Sequence, residues 1–152
     1  MFTFSMTSSQ SLDTIWRVLG DPANLPRWDA GTLSATRLRG GEWEVRMRPL
    51  TAGSHAVSLR GKPAEERGNN FARISTKWLY ADGTFAAEDE WSVVEVEGRR
   101  LRRVTYTLHE YALPDDSCCC CCCDAMTRKL VVDPALRAYG RKDVQLLRAL
   151  FP

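Results

Sequence analysis

The sequence predicts a single α+β domain, residues 1–152, in which an antiparallel sheet packs against a long C-terminal helix. Apolar and polar side chains alternate at the start of the chain and, between turn residues, from Thr32 to about Tyr111. This alternation is the period of half-buried strands. A broad apolar stripe with helical spacing follows Pro134, which indicates a helix that packs on the sheet.

Composition and charge exclude several classes of protein. Hydrophobic residues make up 44% of the chain and charged residues 26%, which is typical of a globular domain. The formal net charge of +2 is too balanced to predict a nucleic-acid partner. No apolar run approaches the ~20 residues that cross a bilayer, and the start resembles no signal peptide. We therefore expect a cytoplasmic protein without a membrane span, whose oligomeric state the sequence leaves open.

All six cysteines stand in one run, Cys118–Cys123. Disulfide scaffolds spread their cysteines along the chain, and zinc sites space their ligands as C-x₂₋₄-C. We therefore expect a low-complexity loop over residues 114–124 that carries no function. A thiolate cluster for a soft metal is the alternative. Apart from that alternative, the sequence predicts no metal and no cofactor.

A strand and two short helices are predicted first. Phe2, Phe4 and Met6 share one face of the strand. Ser8, Ser9 and Ser11 are candidate N-caps of a first helix that Gly20 ends. The apolar stripe of that helix consists of Leu12, Ile15, Trp16 and Leu19. A second, very short helical turn is expected to bury Trp28.

The middle of the chain predicts a six-stranded antiparallel meander. The strands are Leu33–Arg39, Glu42–Arg48, Ser54–Arg60, Phe71–Tyr80, Thr84–Val96 and Arg100–Tyr111. Gly40-Gly41 and Gly98-Arg99 are predicted as two-residue hairpin loops, and Pro63–Asn70 is predicted as a turn segment.

A long helix, Pro134–Phe151, is predicted to close the domain. Asp133 is expected to cap it and Pro134 suits its first position. A shorter helical piece over Asp124–Val132 is expected to precede it.

Two segments resemble the START-like (SRPBCC) superfamily in its polyketide cyclase/dehydrase branch. The first is Leu12-Asp-Thr-Ile-Trp-Arg-Val-Leu-Gly-Asp-Pro-Ala-Asn-Leu-Pro-Arg-Trp28, and the second comprises Val132–Arg137 and Asp143–Leu150. The resemblance implies the helix-grip (START/Bet v-like) fold, a curved sheet around the C-terminal helix with a cavity between them. Members of this superfamily include aromatases and cyclases, lipid and hormone carriers, and accessory proteins. They share no catalytic motif, so no catalytic residue is carried over.

The last hairpin predicts which side chains face the cavity. A two-residue loop at Gly98-Arg99 pairs residues whose numbers sum to 197, which places Trp91 opposite Tyr106 and Asp89 opposite Leu108 on the inner face. The predicted ligand-binding residues are Trp43, Met47, His55, Trp78, Tyr80, Asp89, Trp91, Tyr106 and Tyr139. Such a lining suits a flat apolar ligand, and the alternative is that the rings only fill the core.

Four side chains are candidate acid–base groups: His55, Asp89, Glu110 and Tyr106. A carboxyl group in an apolar cavity has a raised pKa, and histidine titrates near neutral pH. For His55 and Glu110 the alternative is a solvated position near a strand end. No catalytic motif is present, so the sequence leaves open whether the protein is an enzyme.

Three functions remain. The first is binding of a hydrophobic, aromatic or polyketide-like small molecule, or a lipid, in the cavity. The second is a polyketide cyclase or aromatase that uses inward acid–base groups. The third is an accessory protein without a ligand, which predicts a closed cavity and an exposed apolar patch.

Overall fold

A computed structural model describes residues 1–50, 55–96, 100–113 and 131–152. Within these ranges eight strands form one antiparallel sheet. The strands are β1 (Phe2–Ser8), β2 (Thr32–Arg37), β3 (Trp43–Met47), β4 (Val57–Gly61), β5 (Ala64–Arg67), β6 (Phe71–Leu79), β7 (Phe85–Glu95) and β8 (Arg102–Tyr111). The helices are α1 (Leu12–Leu19), α2 (Leu25–Trp28) and α3 (Asp133–Leu150), with 3₁₀ turns at Pro22–Asn24 and Arg39–Gly41.

The strand order is β1-β8-β7-β6-β4-β3-β2, with β5 paired to β6. The predicted α+β fold with an antiparallel meander is thus confirmed. The first strand, β1, pairs with the last strand, β8, rather than with β2. β5 was expected to be a turn. Its four residues are all exposed, so no apolar alternation marks it as a strand.

The helices begin and end close to their predicted positions. Ser11 caps α1, since its Oγ accepts a hydrogen bond from the Thr14 amide at 3.1 Å. Trp28 is buried as expected. Asp133 does not cap α3; its carboxylate instead accepts the Tyr111 hydroxyl at 2.7 Å. The expected helix over Asp124–Val132 lies almost wholly outside the described residues, as does the run Cys118–Cys123.

The core lies between the inner face of the sheet and the helices α1, α2 and α3. Burial alternates along β6, where every second residue from Ala72 to Trp78 is buried, as a sheet with one covered face requires. Ile15, Trp28 and Leu147 are the most completely covered large side chains of α1, α2 and α3. No helix in the described part of the chain is long and apolar enough to cross a membrane.

The predicted register of the last hairpin is confirmed from Asp89↔Leu108 to Glu95↔Arg102. The predicted register is wrong on the N-terminal side of Asp89 in β7. A bulge there leaves His109 unpaired and places Glu88 opposite Glu110. One extra residue reverses the side-chain alternation. Glu110 is therefore exposed rather than inward.

The first hairpin also differs from its prediction. Its loop has three residues, Arg39–Gly41, closed by a hydrogen bond from the Leu38 amide to the Glu42 carbonyl at 2.8 Å. Gly40 and Gly41 both have positive φ, 73° and 81°, which side chains with a Cβ rarely adopt.

Candidate functional site

Three neighbouring strands bring Trp78, Asp89 and Tyr106 together on the inner face of the sheet. The register sets Thr76 opposite Asp89 on β6–β7, and Trp91 opposite Tyr106 on β7–β8. The indole Nε1 of Trp78 donates a hydrogen bond to Oδ1 of Asp89 at 3.1 Å. The Tyr106 hydroxyl lies near the same carboxyl group and favours its ionised form, so it lowers the pKa of Asp89. Asp89 thus interacts with two aromatic side chains that can donate hydrogen bonds.

Burial raises the pKa of Asp89 to about 7, and the hydrogen bonds from Trp78 and Tyr106 oppose this shift. The neighbouring charges of Asp29 and Glu88 add to the increase. Burial, followed by the charge of Asp89, also raises the pKa of Tyr106 well above its usual range. Near neutral pH, Asp89 therefore takes up or releases a proton while Tyr106 remains a donor.

Asp29, which was not predicted from the sequence as a site residue, lies in the turn between α2 and β2. Its carboxylate accepts the Gly31 amide at 2.7 Å and the Thr32 hydroxyl at 2.6 Å. Burial raises the pKa of Asp29 despite these hydrogen bonds. A turn has no hydrophobic period, so side-chain direction there is not predictable from sequence.

Asp143 is the second carboxyl group that the sequence analysis did not select. It lies on α3, is only 9% exposed, and accepts the Ala30 amide at 2.7 Å through Oδ1. Burial and the charge of Asp29 raise the pKa of Asp143 to about 7. The sequence does contain a signal for its burial. Asp143 lies four residues from both Tyr139 and Leu147, within the apolar stripe of the helix. We call Asp29, Asp89 and Asp143 the acidic cluster.

Aromatic rings pack beside this cluster. The Trp28 and Trp91 rings meet edge to face with centroids 4.6 Å apart, and Trp91 and Tyr106 lie 4.7 Å apart. The buried Nε1 of Trp28 has no hydrogen-bond partner among the described residues. On the other side of Tyr106, Phe4 of β1 stacks at 6.5 Å.

Between these rings and α3 lies a cavity of about 10 Å³, room for about one water molecule. It is lined by Phe4, Ser5, Met6, Trp91, Val104, Tyr106, Gly140, Asp143, Val144 and Leu147. Trp91 is 8% exposed and packs against rings on two sides. Its ring is therefore packed within the core rather than facing open space.

Other predicted site residues lie away from this cavity. Met47 and Tyr80 pack on a second apolar cluster around Val45 and Trp78, and Trp43 is half-buried on the same sheet.

His55, just before β4, is exposed, because the chain has left the sheet there. Tyr139 turns towards the loop after β3, where its hydroxyl donates to the Pro49 carbonyl at 3.2 Å. Both were expected to face the cavity, and those two expectations are wrong.

Within the described residues no group of three or more His, Cys, Asp or Glu side chains is arranged to hold a metal ion. Each carboxyl of the acidic cluster comes from a different element. The cluster brings together the α2–β2 turn, the central strand β7 and the helix α3.

Comparison with known proteins identifies the fold. No family model matches the chain, and no curated protein matches its sequence. An aromatase/cyclase from Streptomyces matches it with a TM-score of 0.58 at 16% identity, covering 98% of this chain and 89% of that one. A protein from Mycobacterium smegmatis matches with a TM-score of 0.58 at 16% identity, covering 97% and 88%. The chain has the helix-grip fold.

This finding confirms the fold that the resemblance to the START-like superfamily implied. A protein from Arthrobacter aurescens also matches, with a TM-score of 0.59 at 11% identity, over 98% of this chain and 84% of that one. Identities this low show the helix-grip fold alone.

Proposed function

We propose that the protein binds a hydrophobic, aromatic or polyketide-like small molecule between the inner face of the sheet and α3. The observation that carries this proposal is Asp89, a buried ionisable group beside aromatic rings on the inner face of the sheet. An apolar core gains nothing from a carboxyl group whose burial is costly. Perturbed carboxyls beside apolar surfaces are a feature of binding and catalytic sites.

The ligand would enter by displacing Phe4. The ring of Phe4 rests on Gly140, where an added Cβ would lie 2.2 Å from the ring. β1 is an edge strand of the described sheet. The Phe4 side chain can therefore move without disturbing the pairing of the central strands. A ligand ring that took this place would stack on Tyr106 and reach Asp89.

A titration with naringenin, a polyketide-derived flavonoid, tests the proposal by the quenching of Trp fluorescence. We expect saturable quenching by the wild-type protein and a lower dissociation constant for Phe4→Ala, which enlarges the cavity. Phe71→Ala removes an exposed ring and serves as the control with unchanged affinity. Absence of saturable binding at millimolar ligand in both the wild type and Phe4→Ala would contradict the proposal.

The second candidate function is a polyketide cyclase or aromatase. The combination of Asp89, with a pKa of about 7, and the protonated Tyr106 favours it. The Asp89 carboxylate would remove a proton from the carbon between two carbonyl groups, and the Tyr106 hydroxyl would turn from Asp89 to donate a hydrogen bond to the enolate oxygen. The resulting carbanion would attack a further carbonyl carbon of the same chain, whose π electrons pass to its oxygen. That oxygen would take back the proton from Asp89, which closes the ring and restores the carboxylate.

A poly-β-ketone thioester tests this candidate. We expect the cyclisation rate to rise with pH through about 7 and to fall at least ~10²-fold in Asp89→Asn. If the thioester binds but cyclises no faster than it does in buffer, the cyclase function is contradicted and only the ligand-binding function is supported.

The accessory-protein alternative remains as an outcome of these tests. The cavity is nearly closed, as that alternative requires. On the exposed side, Phe71 and Val94 face each other across β6 and β7, 37% and 47% exposed. Two side chains form only a small patch, whereas an accessory protein would be expected to expose a larger apolar surface. Ligand binding is therefore the first proposal.

A further inference from the structure

The outer edge of β1 is open in the described structure. β1 stands at one end of the strand order, pairs with β8 on its other side, and carries α3 over its inner face. Every second residue of such an edge strand directs its backbone N–H and C=O groups away from the sheet. Within the described residues, β1 makes no backbone hydrogen bonds besides its ladder with β8. The edge therefore offers main-chain hydrogen bonds to a further strand.

β1 also lacks the features that protect edge strands from further pairing. Its seven residues, Phe2–Ser8, include no charged side chain and no proline, and its pairing with β8 has no bulge. Natural sheets use charges, prolines and bulges to blunt their edges. An edge without them over its whole length is suited to a partner strand.

α3 runs along this edge in the direction of β1. The Arg137 guanidinium lies 4.9 Å from the centre of the Phe2 ring. Further along both elements, the Phe4 ring rests on Gly140. Since both steps lead towards the C-terminal end, the helix and the strand lie side by side and point the same way.

Three arginines, Arg137, Arg141 and Arg148, form a row on the flank of α3. All three are exposed, and their spacing places them within about 40° of one another around the helix. The contact of Arg137 with Phe2 fixes this arginine row on the side of β1. None of the three takes part in an ion pair of the described residues. The row spans ~17 Å of helix, close to the ~20 Å of a seven-residue strand, so unpaired positive charge follows the open edge.

We infer that this edge binds an extended acidic segment of another protein as an additional strand, whose acidic side chains point at the arginine row. Main-chain hydrogen bonds to β1 supply affinity, and the alternate side chains of the segment supply specificity. The side chains between the acidic ones lie on the outer face, where β1 exposes only Ser and Thr. This surface lies outside the cavity, so the inference is independent of the proposed ligand.

A second copy of this chain fits the edge less well. Two β1 strands paired antiparallel share their inner face, which would bring the two arginine rows side by side. Like charges at such a distance repel, whereas carboxylates in the same place are attracted. The charge beside the edge therefore favours an acidic partner over a second copy.

A fluorescein-labelled peptide of four Glu-Thr repeats tests the inference by fluorescence anisotropy in a reducing buffer. We expect saturable binding at low ionic strength, at least tenfold tighter than that of the matching peptide of Lys-Thr repeats. Added salt should weaken binding, because the charges involved are exposed and are screened.

Matched variants locate the site. Arg141→Glu together with Arg148→Glu should weaken binding of the Glu-Thr peptide at least tenfold. Arg39→Glu together with Arg46→Glu changes the net charge equally at exposed positions near the opposite end of the strand order, and should change the affinity less than threefold. Circular dichroism checks that both proteins are folded.

Backbone methylation tests whether the peptide binds as a strand. In an extended segment the amides of all Glu residues point to one side and those of all Thr residues to the other. N-methylation of one set, and of one set only, should therefore weaken binding at least tenfold. If both methylated peptides bind as the parent does, the peptide is not an added strand and the inference is wrong.

Three further results would overturn the inference. The first is the absence of saturable binding at millimolar Glu-Thr peptide, or equal affinity for the Lys-Thr peptide. The second is an equal loss of affinity in the two double variants, which would show attraction by net charge alone. The third is a wild-type dimer in light scattering that Thr3→Lys together with Thr7→Lys dissociates, because a second copy would then occupy the edge.

Discussion

At the scale of single residues, Asp89 and Asp143 are held in an environment that favours their protonated forms. Both side chains are removed from water, and burial is the largest cause of the raised pKa in each case. Hydrogen bonds from Trp78 to Asp89 and from the Ala30 amide to Asp143 reduce the shift without cancelling it. The folded protein therefore binds protons at these sites more tightly than the unfolded chain does.

Stability should consequently decrease as the pH rises. A carboxyl group whose folded pKa is about 7 contributes its full stability below its unfolded pKa of ~3.9 and loses it as the pH rises to about 7. Between pH 5 and 8 the free energy of unfolding should fall by on the order of 2 kcal/mol for each such carboxyl. Urea titrations across this range measure the fall.

The matched variant is Asp89→Asn, which should show a shallower fall with pH and a higher unfolding midpoint than the wild type at pH 8. Asp82→Asn, in the exposed turn before β7, should keep the wild-type fall. A slope that Asp89→Asn leaves unchanged would show that another group causes it.

Gly140 supports a second prediction at this scale. A Cβ there would lie 2.2 Å from the ring of Phe4, so Gly140→Ala should destabilise the protein by ~1–3 kcal/mol. Helix propensity alone predicts the opposite sign, a gain of ~1 kcal/mol. In a Phe4→Ala background the same substitution should therefore stabilise, and a double-mutant cycle of unfolding free energies measures this reversal. Equal effects in both backgrounds would contradict the contact.

At the scale of elements, α3 closes the core and carries Asp143, one of the three carboxyl groups of the acidic cluster. Its buried residues are Gly140, Asp143 and Leu147, which share one face at helical spacing. The apolar members of this face were predictable from periodicity. The position of Asp143 on this face was also predictable from its spacing, but a search for apolar residues alone passes over a carboxyl group among them.

Leu147→Ala should destabilise the protein by ~2–5 kcal/mol, because Leu147 is only 1% exposed and its loss leaves a cavity under the helix. The neighbouring Arg148→Ala, at an exposed position of the same helix, should change stability by less than ~0.5 kcal/mol. Urea denaturation of both variants tests this. Equal midpoints for Leu147→Ala and the wild type would show that α3 does not close the core.

The pairing of β7 with β8 marks how far sequence patterns can predict the site. A hairpin loop and period-two alternation suffice to place Asp89, Trp91 and Tyr106 on the inner face. They fail for Glu110, because a bulge at His109 shifts the alternation without any change in the apolar pattern. Asp29 lies in a turn, where only tertiary contacts decide which way a side chain points.

At the scale of the whole molecule, the described helices α1, α2 and α3 and every described strand except β5 were predictable because each follows from a local period. The size of the cavity was not, since it depends on how Phe4, Trp28 and Trp91 pack together from distant parts of the chain. The closeness of α3 to β1, through Gly140 and Phe4, likewise has no local signal.

The run Cys118–Cys123 lies outside the described residues, and its predicted dispensability stays a prediction. Replacing the six cysteines by Ser and Gly should leave the unfolding midpoint and the naringenin affinity unchanged, because the cavity lining and the core of the described chain come from other segments. Stoichiometric zinc or copper(I) in the reduced wild-type protein, lost together with stability on replacement, would show a metal site instead.

The pairing of β1 with β8 has a consequence for how the chain is made. These strands are about 100 residues apart in sequence, and ribosomes add ~5–20 residues per second. For roughly 5–20 s after its synthesis, the first strand therefore has neither its neighbour in the sheet nor the helix that later covers Phe4. The first strand and the last helix of the domain pack together through Phe4 and Gly140, so the nascent protein completes its core only after α3 has been synthesised.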